Sequence, residues 1–155
     1  MRRCGQPTAH VTFVEIDLNT ENLIDHLEKH GFDLNQKTFV LWEGVTYYLP
    51  ITSVHSVLAQ LSLLSTESAI AFDYVLEKSF QDPSGHYGAS ECFRYVKRKG
   101  EPMLTSFKPE EIEQELQRHG FMVVSQMEKE ALSTSVLQTT ETMCDIFGIV
   151  HARRT

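Results

Sequence analysis

Apolar and polar positions alternate between two periods along this chain, and the changes of period mark its elements. His10 to Leu18 (HVTFVEIDL) is rich in β-branched and aromatic residues, which predicts a first strand. Leu23, Ile24 and Leu27 then fall on one face of a helix that Asn19 or Thr20 can cap, and Gly31 suits its end. Thr38 to Trp42 (TFVLW) is a continuous apolar run, the pattern of a strand covered on both faces. Pro50 and Thr52 open a second helix, whose Val54, Val57, Leu58, Leu61 and Leu64 form an apolar stripe. Ser68 to Val75 (SAIAFDYV) predicts a third strand. Pro109 starts another helix, with Ile112 and Leu116 inward and Gly120 at its end. Phe121 to Met127 and Ile146 to Ala152 predict two final strands.

Two stretches lack a clear period. Glu77 to Phe107 mixes Pro83, Gly85, Gly88, Gly100 and Pro102 with Phe80, Tyr87, Phe93 and Tyr95. It reads as a long irregular but ordered segment, a lid-like insertion at 77–107. Glu128 to Asp145 is polar and Thr-rich, and reads as a loop with at most a short helix. Strands alternating with helices predict an α/β fold with a mostly parallel sheet. No crossover helix separates the last two strands, so they are expected to form an antiparallel terminal pair. The expected organisation is a poorly ordered lead-in at 1–10 and a single α/β domain at 11–155.

Composition narrows the function classes. The chain has 155 residues and a net charge of −7, which argues against nucleic acid or anionic lipid as a partner. The three cysteines, Cys4, Cys92 and Cys144, are widely spaced, so neither a zinc ribbon nor a disulfide framework is indicated. Reduced thiols in a cytoplasmic protein fit best. No apolar run reaches membrane-spanning length. His26 and His30 have i, i+4 spacing but no third ligand, so no metal site is expected.

Ligands of open α/β sheets bind beyond the carboxyl ends of the strands, so acids there are the first candidates. Asp17, Glu43 and Asp73 hold such positions. Placing several carboxylates at one crevice raises their mutual repulsion, which a cationic or donor-rich ligand relieves. The alternative is that they cap helices or face solvent. Glu43 to Pro50 (EGVTYYLP) is the more specific signal: an acid ends an apolar strand, Gly44 permits close backbone approach, and two tyrosines precede a helix.

That segment resembles the E-G-x-x-x-Y-L-P stretch of leucine carboxyl methyltransferase-like proteins, which depend on S-adenosylmethionine. Ile16 to Leu18 (IDL), His30 to Asp33 (HGFD), Lys99 to Pro102 (KGEP) and His119 to Phe121 (HGF) are similar to further parts of that family, and the resemblance covers about residues 11–150. It implies an incomplete, Rossmann-like class I methyltransferase sheet. It implies that Asp17 and the backbone of Leu18 contact the adenine of S-adenosyl-L-methionine, that Glu43 faces the methionine end, and that Tyr47 and Tyr48 stand on the substrate side. A carboxylate can accept from the exocyclic amine or the ammonium. Packing with a hydroxyl at the rim is the equal alternative for both tyrosines.

Methyl transfer from a sulfonium needs positioning rather than an enzyme nucleophile, so no catalytic residue is singled out. The expected acceptor is a small-molecule or peptide carboxylate or hydroxyl. Family members carry a longer amino-terminal half with a Gly-rich loop; here only MRRCGQPTAH precedes Val11, and Gly5 follows no strand. The missing strands would lie between those ending at Asp17 and Glu43. The expectation is a truncated methyltransferase. The alternative is a non-catalytic α/β interaction module or half of a split enzyme, a homo-oligomer or one whose partner chain supplies the missing strands.

Overall fold

The computed structural model describes residues 10–138 and 140–155. The lead-in expected at 1–10, with Arg2, Arg3, Cys4 and Gly5, lies outside them except for His10.

Four strands form one sheet in the order β1-β2-β4-β3: β1 (Phe39–Trp42), β2 (Ala69–Val75), β3 (Phe121–Met127) and β4 (Phe147–Arg154). β1 and β2 are parallel, and β4 runs antiparallel to both β2 and β3. Three strands therefore point one way and β4 alone is reversed; one of the three pairings is parallel and two are antiparallel, and the last two strands, β3 and β4, form the expected antiparallel pair.

Helices α1 (Leu23–Lys29), α2 (Ile51–Leu61) and α5 (Pro109–Arg118) match the sequence pattern. The cap of α1 is Asn22, which accepts from the Asp25 amide at 3.0 Å; Asn19 and Thr20 do not serve. Gly31 and Gly120 take φ of +88° and +72° just past α1 and α5, where a left-handed residue closes a helix. Pro109 occupies the first turn of α5, where its missing amide leaves nothing unpaired.

One face of the sheet carries the core. Val40 and Trp42, Ile70, Phe72 and Tyr74, and Val150 and Ala152 alternate inward and meet Val54, Val57, Leu58 and Leu61 of α2 and Ile112 and Leu116 of α5. The opposite face is covered at one end only. There Tyr47, Val75, Met103 and Phe147 pack with Cys92, Phe93 and Val96. Towards β1 it is open: Phe39 is 61% exposed and Leu41 65%. Among the described residues the outer edge of β1 has no strand partner.

Two expectations are corrected. His10 to Leu18 is not a strand: residues 11–17 have no assigned secondary structure and 18–20 form a turn, with Val11 and Phe13 exposed. β-Branched composition suits a pleated surface, but a strand exists only where a neighbour takes its amides and carbonyls. Residues 77–107 are largely helical rather than irregular, with α3 (Glu77–Gln81), a 3₁₀ turn at Pro83–Gly85 and α4 (Ala89–Arg98). The prolines and glycines punctuate short helices. Within Glu128 to Asp145 the short helix is present, as α6 (Lys129–Ala131) running into a π-helical turn at Leu132–Val136.

Among the described residues no helix is long and apolar enough to cross a membrane.

Candidate functional site

The turn after β1 is built by long-range hydrogen bonds. β1 ends at Trp42, Glu43 follows exposed, and Gly44 turns the chain with φ of +73°. A Cβ at Gly44 would have open space, so the backbone angle alone calls for glycine. Asp73, on neighbouring β2, holds the turn. Its Oδ1 accepts from the Gly44 amide at 2.8 Å, its Oδ2 accepts from the Tyr47 hydroxyl at 3.4 Å, and its carbonyl accepts from Thr46 Oγ1. Thr46–Tyr48 then makes a 3₁₀ turn leading through Pro50 into α2. We expect Gly44→Ala to cost about 1–2 kcal/mol through forced left-handed geometry, read as a lower urea midpoint with an unchanged slope.

Burial and the neighbouring carboxylates set the electrostatics here. Burial pushes the Asp73 carboxyl above its ordinary range, partly opposed by the Gly44 amide, and the charge of Glu43 adds to the rise. Tyr47 is buried against Tyr48 and Phe147, with ring centroids at 4.8 and 5.2 Å. Burial first and Asp73 second hold its hydroxyl firmly protonated. Tyr48 is half-buried; burial raises its hydroxyl too, followed by Cys92, Glu101 and Asp73. Tyr48 lines a cavity of about 410 Å³ with Gly100, Glu101, Pro102 and Leu104. This wall belongs to the K-G-E-P segment, and the Leu104 amide donates to the Tyr47 carbonyl at 2.7 Å.

Asp17 and Leu18 sit at the same end of α2. Leu18 packs on the core. The Asp17 carboxylate closes its own turn, accepting from the Asn19 amide at 2.9 Å, Asn19 Nδ2 at 3.1 Å and Thr20 Oγ1 at 3.1 Å. These bonds lower its pKa, the Asn19 amide first. Asn19 Oδ1 accepts from Ser53 in the first turn of α2 at 3.0 Å, which ties the Asp17 turn to the helix that the Glu43 turn feeds. Neither Asp17 nor Glu43 lines the cavity at Tyr48.

A carboxylate offers about four acceptor positions, so Asp17, with three filled, keeps about one for a ligand. Glu43 makes no hydrogen bond or ion pair among the described residues and keeps all of its own. Glu43 lies within electrostatic reach of Asp73, and Asp73 and Glu101 lie within reach of Tyr48. Sequence reasoning placed Asp73 near a strand end but missed that it organises the Glu43 turn. No cluster of three His, Cys, Asp or Glu able to hold a metal is present among the described residues. His30 Nδ1 is taken by the His26 carbonyl at 2.7 Å, and His26 Nε2 lies 3.3 Å from Glu21.

Known proteins resemble this chain in fold and in sequence. A DUF574-family protein from Streptomyces avermitilis superposes with a TM-score of 0.64 at 15% identity, covering 92% of this chain and 54% of that one. A S-adenosylmethionine-dependent methyltransferase structure from Methanosarcina mazei gives a TM-score of 0.52 at 8% identity, over 80% of this chain and 62% of that one. These likenesses show the fold alone: an α/β, Rossmann-like sheet that is incomplete here. In sequence, the leucine carboxyl methyltransferase family model matches residues 2–62. A Bacillus subtilis protein named as an S-adenosyl-L-methionine-dependent methyltransferase, YktD, is 27% identical over 143 residues, 92% of this chain and 47% of that protein. In sequence, then, the chain is similar to leucine carboxyl methyltransferase-like S-adenosylmethionine-dependent methyltransferases. It spans about half the length of the relatives it matches.

Proposed function

We propose that this chain forms the carboxyl-terminal part of an S-adenosylmethionine-dependent O-methyltransferase site, acting on a hydroxyl or carboxylate. The observation that carries this reading is the E-G-V-T-Y-Y-L-P turn, held at the carboxyl end of β1 by Asp73 with the Glu43 carboxylate left free. When bound, S-adenosylmethionine supplies an electrophilic methyl group on a positive sulfur. The residues' part is to attract and orient: Glu43 towards the ammonium and sulfonium, and Asp17 with the Leu18 backbone towards the adenine. Tyr47 and Tyr48 border the acceptor's approach.

The charge around Tyr48 favours a hydroxyl among the two acceptors. Among the described residues Glu101 is the one charged residue lining its cavity, and Asp73 lies within electrostatic reach. An ionised carboxylate entering there meets repulsion, whereas a neutral hydroxyl does not. A hydroxyl must shed its proton on transfer, and the neighbouring carboxylates are the groups to accept it.

Calorimetry with S-adenosylhomocysteine tests the placement. Binding that weakens about tenfold or more in Glu43→Ala and in Asp17→Ala supports it, a loss matching one charge-assisted hydrogen bond each. Affinity unchanged in both variants overturns it. No binding at millimolar ligand would favour the second reading, a non-catalytic module or half of a split site. A specific observation supports that alternative. The β1 edge, unpaired among the described residues, and the exposed Phe39 and Leu41 are what a further parallel strand with its helix would cover.

A further inference from the structure

Cys92 and Cys144 are 52 positions apart in sequence, and neither is used in the site described above. The fold brings both to one spot on α4. Cys144 lies in the stretch before β4, with its Sγ 3.1 Å from where a Cβ would stand on Gly88. Gly88 caps α4, and the Cys92 amide donates to its carbonyl at 3.0 Å, one helical turn on. Helical side chains lean towards the amino terminus, so the Cys92 thiol projects over the turn that begins at Gly88. The missing side chain of Gly88 is therefore the notch through which Cys144 approaches.

Other contacts hold this approach in place. Asp145, next to Cys144, lies 3.4 Å from His86 Nδ1 and 3.8 Å from Lys129 Nζ. Residues 142–145 have no regular structure that would resist a small adjustment. Cys144 is exposed and Cys92 half-buried, so a soluble oxidant meets Cys144 first.

We propose that Cys92 and Cys144 are a thiol pair that closes into a reversible disulfide, pinning the 142–145 stretch to α4 behind Tyr47 and Tyr48. The proposal does not depend on the methyltransferase reading. With a small disulfide such as oxidised glutathione, the Cys144 thiolate attacks one sulfur and expels one glutathione thiolate. The Cys92 thiolate then attacks the Cys144 sulfur of the mixed disulfide and expels the second. Two protein thiols lose two electrons and two protons, and one glutathione disulfide becomes two thiols. Burial, and then the proximity of Cys144, raise the Cys92 thiol, consistent with Cys144 reacting first.

The test uses the full chain with Cys4→Ser, so that these two thiols alone remain. After treatment with oxidised glutathione and alkylation of free thiols, trypsin places Cys92 in the peptide 79–94 and Cys144 in the peptide 130–153. The expected product is these two peptides joined within a monomer and separated by dithiothreitol. Adding Cys92→Ser should leave a stable glutathione adduct on Cys144. A persistent adduct on Cys144 with Cys92 still reduced would overturn the proposal, as would a disulfide-linked dimer or an unreacted Cys144.

Discussion

Phe72→Ala is expected to lower the unfolding free energy by about 3–5 kcal/mol, the range for truncating a fully buried aromatic. Phe72 lies on β2, between β1 and β4, with its side chain essentially out of water. Its ring meets Trp42 at 5.8 Å and Tyr74 at 6.4 Å between centroids, so deletion removes partners on both sides. Rigid neighbouring strands can close only part of the space left behind. With a urea slope of about 2 kcal/mol per molar, the midpoint should fall by roughly 2 M. A domain stable by about 5–15 kcal/mol loses a large share of its margin this way. Phe39→Ala is the internal comparison. Phe39 is on β1, one strand away, but faces the open side and is 61% exposed. Its truncation is expected to stay within about 0.5 kcal/mol. Equal losses in the two variants would show that the face carrying Phe39 is covered in solution.

The elements legible in the sequence are those whose stability is mostly local pattern. Val54, Val57, Leu58 and Leu61 repeat at helical spacing, and that face meets the sheet. Pro109 and Gly120 bound α5 for reasons of backbone geometry that need no tertiary information. His10 to Leu18 misled because β propensity describes a fit to a pleated surface and supplies no partner for the backbone. α4 was hidden because Cys92, Phe93 and Val96, its inward residues, are interleaved with Glu91, Arg94, Lys97 and Arg98. The prolines and glycines around it read as loop for the same reason that they end short helices.

The candidate site divides along the same line. Glu43 and Gly44 were legible because an acid at a strand end followed by glycine has a local logic. The hub that fixes them was not. Asp73 is 29 residues from Gly44 and 26 from Tyr47, and the link exists only because β1 and β2 pair in parallel with Trp42 opposite Phe72. Parallel register puts the first residue past β1 beside Asp73. Among the described residues the other edge of β1 has no partner, so the element that builds the turn is also the outermost strand there.

Asp73→Ala is accordingly expected to cost about 1–3 kcal/mol, because the Gly44 amide and the Tyr47 hydroxyl lose their acceptor in a half-buried place. Asp73→Asn separates charge from hydrogen bonding, since its carbonyl oxygen can still accept from Gly44. The pH dependence carries the sign. Burial raises the folded-state pKa of Asp73 above the ordinary value of 3.8, so the native state holds this proton more tightly than the unfolded chain does. Its contribution is then fully present below pH 3.8 and is lost as pH rises through the raised value. The stability of the wild type minus that of Asp73→Asn should therefore fall across this window and level off above it. Asp17, Asp33 and Asp82 have lowered pKa values and slope the other way, but both proteins share them and the subtraction removes them. Urea melts of the two proteins at half-unit steps from about pH 3 to 7 read the difference directly. A difference that climbs with pH would mean that the hydrogen bonds from Gly44 and Tyr47 outweigh burial. Asp73 would then hold its turn as a stabilised anion rather than at a cost in desolvation.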